Sequence, residues 1–173
     1  MANTFIKIAS TTVGSGGAAS IDFTSIPATY TDLCLKFSSR GTNNDTYYAL
    51  RLRLNSSSAT SQYYTRGLAG YGTAISIDGQ SGLNYLYTVL PPSPPSTANT
   101  FGNTEFYFSN YASSANKSLS IDSVGENNAN LAFAQIMAGS WLNSSAINQI
   151  TMTNEYGNFA EFTTAHLYGI KKD

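Results

Sequence analysis

The chain has 173 residues, of which 42% are hydrophobic and only 11% charged, with a formal net charge of −1; an average soluble domain carries roughly 25% charged residues. That length points to a single domain, 1–173, able to bury a full core without metals or disulfides. No Lys/Arg cluster is present, which excludes the electrostatic footprint of nucleic-acid binding, and no apolar run approaches the ~18 residues that a membrane span needs.

The first residues, MANTFIKIAS, lack the basic segment and long apolar run of a secretory signal. Phe5–Val13 reads as a strand with Ile6 and Ile8 on one face, and Gly14-Ser15-Gly16-Gly17 turns the chain into Ala19–Phe23. There Ile21 and Phe23 alternate with Ser20, Asp22 and Thr24, the period-two pattern of a strand with one buried face. Pro27 has no N–H and a fixed φ, so it ends the pairing. Leu33, Leu35 and Phe37 restart the alternation against Asp32, Cys34 and Lys36. Arg40–Thr46 is a polar loop of turn formers.

Tyr47–Leu54 is the cleanest strand, with Tyr48, Leu50, Leu52 and Leu54 expected inward and Ala49, Arg51 and Arg53 on the solvent face. A turn at Asn55–Ser61 precedes a strand at Tyr63–Leu68. Ala74–Ile77 and Leu83–Leu90 flank the hairpin-type dipeptide Asp78-Gly79 within a longer loop. Pro91-Pro92-Ser93-Pro94-Pro95 is an extended crossing that would carry the chain from one sheet to another. Strands follow at Thr104–Ser109, Leu119–Val124, Leu131–Ser140, Ile147–Thr153 and Thr164–Lys171. Leu131–Trp141 holds good helix formers, yet its alternation with a slip at Gln135-Ile136 fits a bulged strand better. The expectation is an all-β, jelly-roll-like, two-sheet antiparallel sandwich of about ten or eleven strands.

Residues able to do chemistry are few. Cys34 is the single cysteine and His166 the single histidine. A Ser-His or Cys-His site needs an orienting group beside the base, and no GxSxG elbow accompanies His166. One His and one Cys cannot build a structural zinc site. Asn43-Asn44-Asp45 and Glu126-Asn127-Asn128 are the loop oxygens a calcium ion would use, without the rhythm of an EF-hand. Glu105 and Glu161 read as solvent-facing acids rather than a glycosidase pair. Neither catalytic residues nor cofactors are expected. The sequons at Asn44, Asn55, Asn116 and Asn143 are what chance gives in a chain rich in Asn, Ser and Thr.

Aromatics are the abundant class, with 12 Tyr, 9 Phe and 1 Trp. Tyr suits strands, and also surfaces where one end is buried and the other wet. Tyr63, Tyr64, Tyr71, Tyr85, Tyr87, Tyr111 and Tyr156 are the candidate interface or ligand aromatics, with Tyr107 beside them.

Two segments carry a resemblance. Ala19–Leu33, ASIDFTSIPATYTDL, and the ending Ala165–Lys171, AHLYGIK, resemble patterns at the two ends of small structural proteins from tailed-bacteriophage virions, many of them aquatic. Phe5-Ile6-Lys7-Ile8 and the Gly-rich turn fit the same pattern. The resemblance implies a β-sandwich on the outer surface of the particle. It would be a non-enzymatic head decoration (cement) protein, acting as a homo-oligomer, trimer favoured, against the major capsid protein or other virion proteins. The alternative is a tail-fibre or tail-tip module that binds a receptor or a host surface glycan, and an enzyme acting on host polysaccharide is the third reading. Neither nucleic acid nor membrane is an expected partner.

Overall fold

The computed structural model describes residues 4–44, 49–88, 91–126 and 132–171. Expectations that fall on Asp45, Tyr47, Tyr48, Val89, Leu90, Asn127, Asn128 and Leu131 lie outside the described residues. Among the described residues the chain forms thirteen strands and no helix. These are β1 (Phe5–Thr12), β2 (Ser20–Phe23), β3 (Asp32–Ser39), β4 (Leu50–Leu54), β5 (Tyr63–Tyr71), β6 (Ala74–Asp78) and β7 (Ser81–Leu83). They continue with β8 (Leu86–Thr88), β9 (Gly102–Phe108), β10 (Lys117–Glu126), β11 (Ala132–Trp141), β12 (Ile150–Asn154) and β13 (Thr164–Ile170).

The strands make two antiparallel sheets. The large sheet has nine strands in the order β1-β13-β3-β9-β10-β11-β5-β6, with β7 also on β5; the small sheet is β2-β12-β4-β8. Pairing is nested: β1 with β13, β2 with β12, β3 with β9 and β4 with β8, alternately in the large and small sheets. The proline segment leads from β8 in the small sheet to β9 in the large one. It is stapled by Arg40, whose guanidinium donates to the carbonyls of Ser93, Ser96, Thr97 and Thr100 at 2.8–3.3 Å. Such charge-assisted bonds give a segment without its own ladder a fixed path.

The core lies between the sheets, where the period-two pattern places it. Leu33, Leu35 and Phe37 of β3, Phe106 and Phe108 of β9 and Leu119 and Ile121 of β10 face Ile21, Phe23, Leu50, Leu52, Leu54, Ile150 and Met152 of the small sheet. Along β10 burial alternates at every residue, as a sheet with one covered face requires.

Local readings differ from the structure at four places. Ala49 is buried rather than outward, and its backbone N–H and C=O both pair with Glu155. Asp78-Gly79 is not a hairpin turn. The turn is Gly72-Thr73, with Gly72 at φ 55, and after Gly79 the chain continues along the same side of β5 as β7. The expected strand Leu83–Leu90 is two strands, β7 and β8, in different sheets. Finally, β11 has no bulge: its ladder with β10 runs unbroken from Lys117↔Trp141 to Glu126↔Ala132. The apparent slip is a true inversion, with Gln135 inward and holding Asp78 through its amide, and Ile136 outward.

The two ends of the chain meet over one glycine. The carbonyl of Ile170 accepts from the N–H of Thr31, and a Cβ on Gly169 would overlap the ring of Tyr30. Only a residue without a side chain lets the turn after Pro27 lie flat on β13. We therefore expect Gly169→Ala to lower unfolding free energy by about 1–3 kcal/mol in chemical denaturation. Combining it with Tyr30→Ala should cost less than the sum of the two changes. A Gly169→Ala loss below about 0.5 kcal/mol would mean that the ring does not rest there.

Candidate functional site

The seven candidate tyrosines divide into core and surface. Tyr63 is fully buried, stacked on Trp141 with ring centroids 6.2 Å apart, and its hydroxyl accepts from the N–H of Leu54 at 3.0 Å. Tyr111 is also fully buried; its hydroxyl donates to the carbonyl of Pro27 and accepts from the N–H of Tyr30 at 3.5 Å. Both are amphipathic rings used to fasten turns to the core. Tyr71 packs edge-on against Phe133 with centroids 4.6 Å apart. Tyr64 is half-buried on β5, and Tyr156 is exposed in the turn after β12.

The structure brings Tyr85 and Tyr87 together at the β4–β8 edge of the small sheet. Their centroids lie 6.3 Å apart. The Arg51 guanidinium sits 4.6 Å from the centre of the Tyr85 ring and that of Arg53 5.8 Å away. Arg51 also makes an ion pair with Glu155 at 2.9 Å, and the Nε–H of Arg53 donates to the carbonyl of Asn84 at 3.2 Å. These two arginines, which alternation with leucines assigned to open solvent, are instead half-covered by an aromatic ring. Burial pushes the Tyr87 phenol up to about 12, with the Glu155 and Asp78 carboxylates adding to the effect. The phenol stays protonated at neutral pH, so it offers both a donor and an acceptor. The cluster sets a phenol beside a guanidinium–carboxylate pair and holds no activated nucleophile.

The remaining reactive side chains lie apart from this cluster. Cys34 is buried on the outer side of β3, opposite Leu33 and Leu35, with Tyr107 and Tyr168 as its cross-strand neighbours. Burial pushes its thiol up to about 11, which keeps it an unreactive thiol. His166 is half-buried, and its ladder neighbours are Ser10 and Lys36 rather than an orienting carboxylate. Lys36 makes an exposed ion pair with Glu105, which is on the same outer face as sequence alternation places it. Glu161 is exposed.

Lys117 has no counterpart in the sequence reading. It is fully buried, and its ammonium donates to the carbonyls of Ser113, Ala115 and Asn143. Burial pulls its pKa below the usual lysine value. Its position in the inward register of β10 was the available signal, since a lysine there must find carbonyl partners.

Asn43 and Asn44, two of the three residues of one calcium candidate, lie in the loop after β3; among the described residues no three of His, Cys, Asp and Glu gather as metal ligands. The Asn55 side chain is occupied, donating to the carbonyl of Ala146 and accepting from the N–H groups of Asn148 and Gln149.

No family model matches the chain, and no curated protein matches it.

The Arg51–Glu155 pair is less than a third exposed at either side chain, so its loss should exceed that of a surface pair. We expect Arg51→Ala to lower stability by about 1–2 kcal/mol. A double-mutant cycle with Glu155→Gln should give a coupling above about 0.5 kcal/mol. Independent effects in that cycle would mean that the two charges do not interact.

Proposed function

We propose that the chain is a non-enzymatic structural protein of a tailed-bacteriophage particle, a capsid decoration (cement) protein on the outer head surface. The observation that carries this reading is the physical unity of the segments behind the resemblance. Tyr30, within ASIDFTSIPATYTDL, lies on Gly169, within AHLYGIK, and Phe5–Lys7 pairs with the same strand. A pattern at both ends of a sequence thus corresponds to one packed unit, the kind of feature a shared fold would keep. The nested pairing supports a jelly-roll-like arrangement, with β1-β13-β3-β9 of the large sheet facing β2-β12-β4-β8.

Two rigid sheets with few charges suit a protein that bridges neighbouring capsid subunits. Little charge must be desolvated when such surfaces meet. The added buried area would stabilise the shell against the pressure of packed DNA. Gel densitometry of purified virions should show copies in the hundreds; a few copies per particle would exclude cementing.

The Tyr85–Tyr87–Arg51–Glu155 cluster favours a second reading, a fibre or tail-tip module that holds a host surface glycan. In that case a glycan array with the purified chain should give saccharide binding that Tyr87→Ala abolishes. Binding that survives Tyr87→Ala, or none at millimolar sugar, counts against this reading.

A further inference from the structure

The outer face of the large sheet divides into two regions. Over β13, β3 and β9 it is polar, with His166, Lys36 and Glu105 in one cross-strand row. Over β11, β5 and β6, extended by Val124 of β10, it is largely apolar. The ladders set Ile77, Leu68 and Ile136 side by side in one row, and Ile75, Gly70, Ala134 and Val124 in the next. Ile77 is 86% exposed, Ile75 78%, Ile136 71%, Leu68 57% and Val124 49%. Directly opposed residues on one face have Cβ atoms about 5 Å apart, so the five aliphatic side chains form a continuous patch. They leave on the order of 600 Å² of hydrocarbon in water, the upper end for the largest patch on a monomer.

The strand beside this patch is also unguarded. Edge strands that stay unpaired are protected by charges, prolines, bulges or short length. At the other end of the same sheet β1 carries Lys7 and a register shift between Lys7 and Ala9. In the small sheet β2 has four residues with Asp22 within it, and β8 has three. β6 reads AISID; its one charge, Asp78, is turned inward onto Gln135, and its two isoleucines are on the exposed face.

We propose that the face formed by Leu68, Ile75, Ile77, Val124 and Ile136 is the surface through which this chain associates with further copies of itself. The occupant follows from area and charge. Two such patches packed together bury roughly 1,200 Å², the lower bound for a stable interface. Sheet faces stack readily about 10 Å apart, and an aliphatic face is its own complement because hydrophobic burial is non-directional. The margins are unlike in charge, with Arg66 before Leu68 on β5 and with Asp122 and Glu126 on β10. A two-fold axis in the sheet plane, across the line from Arg66 to Glu126, sets the basic margin of each copy over the acidic margin of the other.

This inference rests on the assembly reading only for the expectation of a homo-oligomer, and its test needs no particle. Light scattering on the purified full chain, over a concentration series, should give an oligomer. Ile77→Asp and Ile136→Asp, on two different strands, should each weaken self-association at least about a hundredfold. Far-UV circular dichroism should remain that of the wild type. Phe162→Asp, 65% exposed but outside the patch, should keep the oligomer. Should Ile77→Asp or Ile136→Asp unfold the chain, Ile77→Ser and Ile136→Ser are compared in the same way. A wild-type chain that is monomeric throughout, or folded patch variants that keep the wild-type mass, would overturn the proposal, whatever the virion stoichiometry shows.

Discussion

The contact between the Tyr30 ring and Gly169 closes the outermost layer of the fold. It fixes the turn after Pro27 on β13, and so places the start of β3 beside the end of the chain. With β1 on the other side of β13, the two termini share one set of ladders. The inner pairs, β2 with β12, β3 with β9 and β4 with β8, then nest within that layer. Every one of these pairs joins residues far apart in sequence, so loop entropy must be overcome before the ladders form. One close approach without a side chain in the way is what allows the nesting to close.

A sandwich covers only the facing side of each sheet, and the outer sides are free to differ in character. The outer side of the small sheet gathers Arg51, Arg53, Tyr85 and Glu155 into one interacting cluster. On the large sheet the outer side is polar and partly ion-paired over β3 and β9, and aliphatic over the β11–β5–β6 wing. Both features arise because strand alternation presents every second side chain outward whether or not water suits it. Where the outward residues are polar, the face is satisfied alone. Where they are isoleucine and leucine, the free energy of the face is lowered by a covering surface.

Much of the strand plan was legible. The alternations around Ile21, Leu33, Leu52, Phe106 and Leu119 each correspond to a buried row. The proline crossing connects two sheets. The β6 turn was misplaced because Asp78-Gly79 and Gly72-Thr73 both contain a glycine suited to a turn, and the choice between them belongs to the partner strand β5. The slip at Gln135-Ile136 suggests a bulge because a buried glutamine beside an exposed isoleucine violates the usual pattern. Gln135 is inward because Asp78, nearly sixty residues away in sequence, takes its amide.

The candidate site was legible in its tyrosines and not in its charges. Tyr85 and Tyr87 are two apart and end on one cluster, whereas Glu155 reaches Arg51 only through the pairing of β12 with β4. Tyr63 and Tyr111, identical in kind, became core residues because backbone carbonyls and N–H groups wait for their hydroxyls inside. By itself the sequence determined the strands and which residues share a face, because period two is a local property of the extended chain. Only the tertiary structure decided which face is covered, which tyrosines reach water and which isoleucines do not leave it. Those outcomes depend on partners brought together across the whole length of the chain.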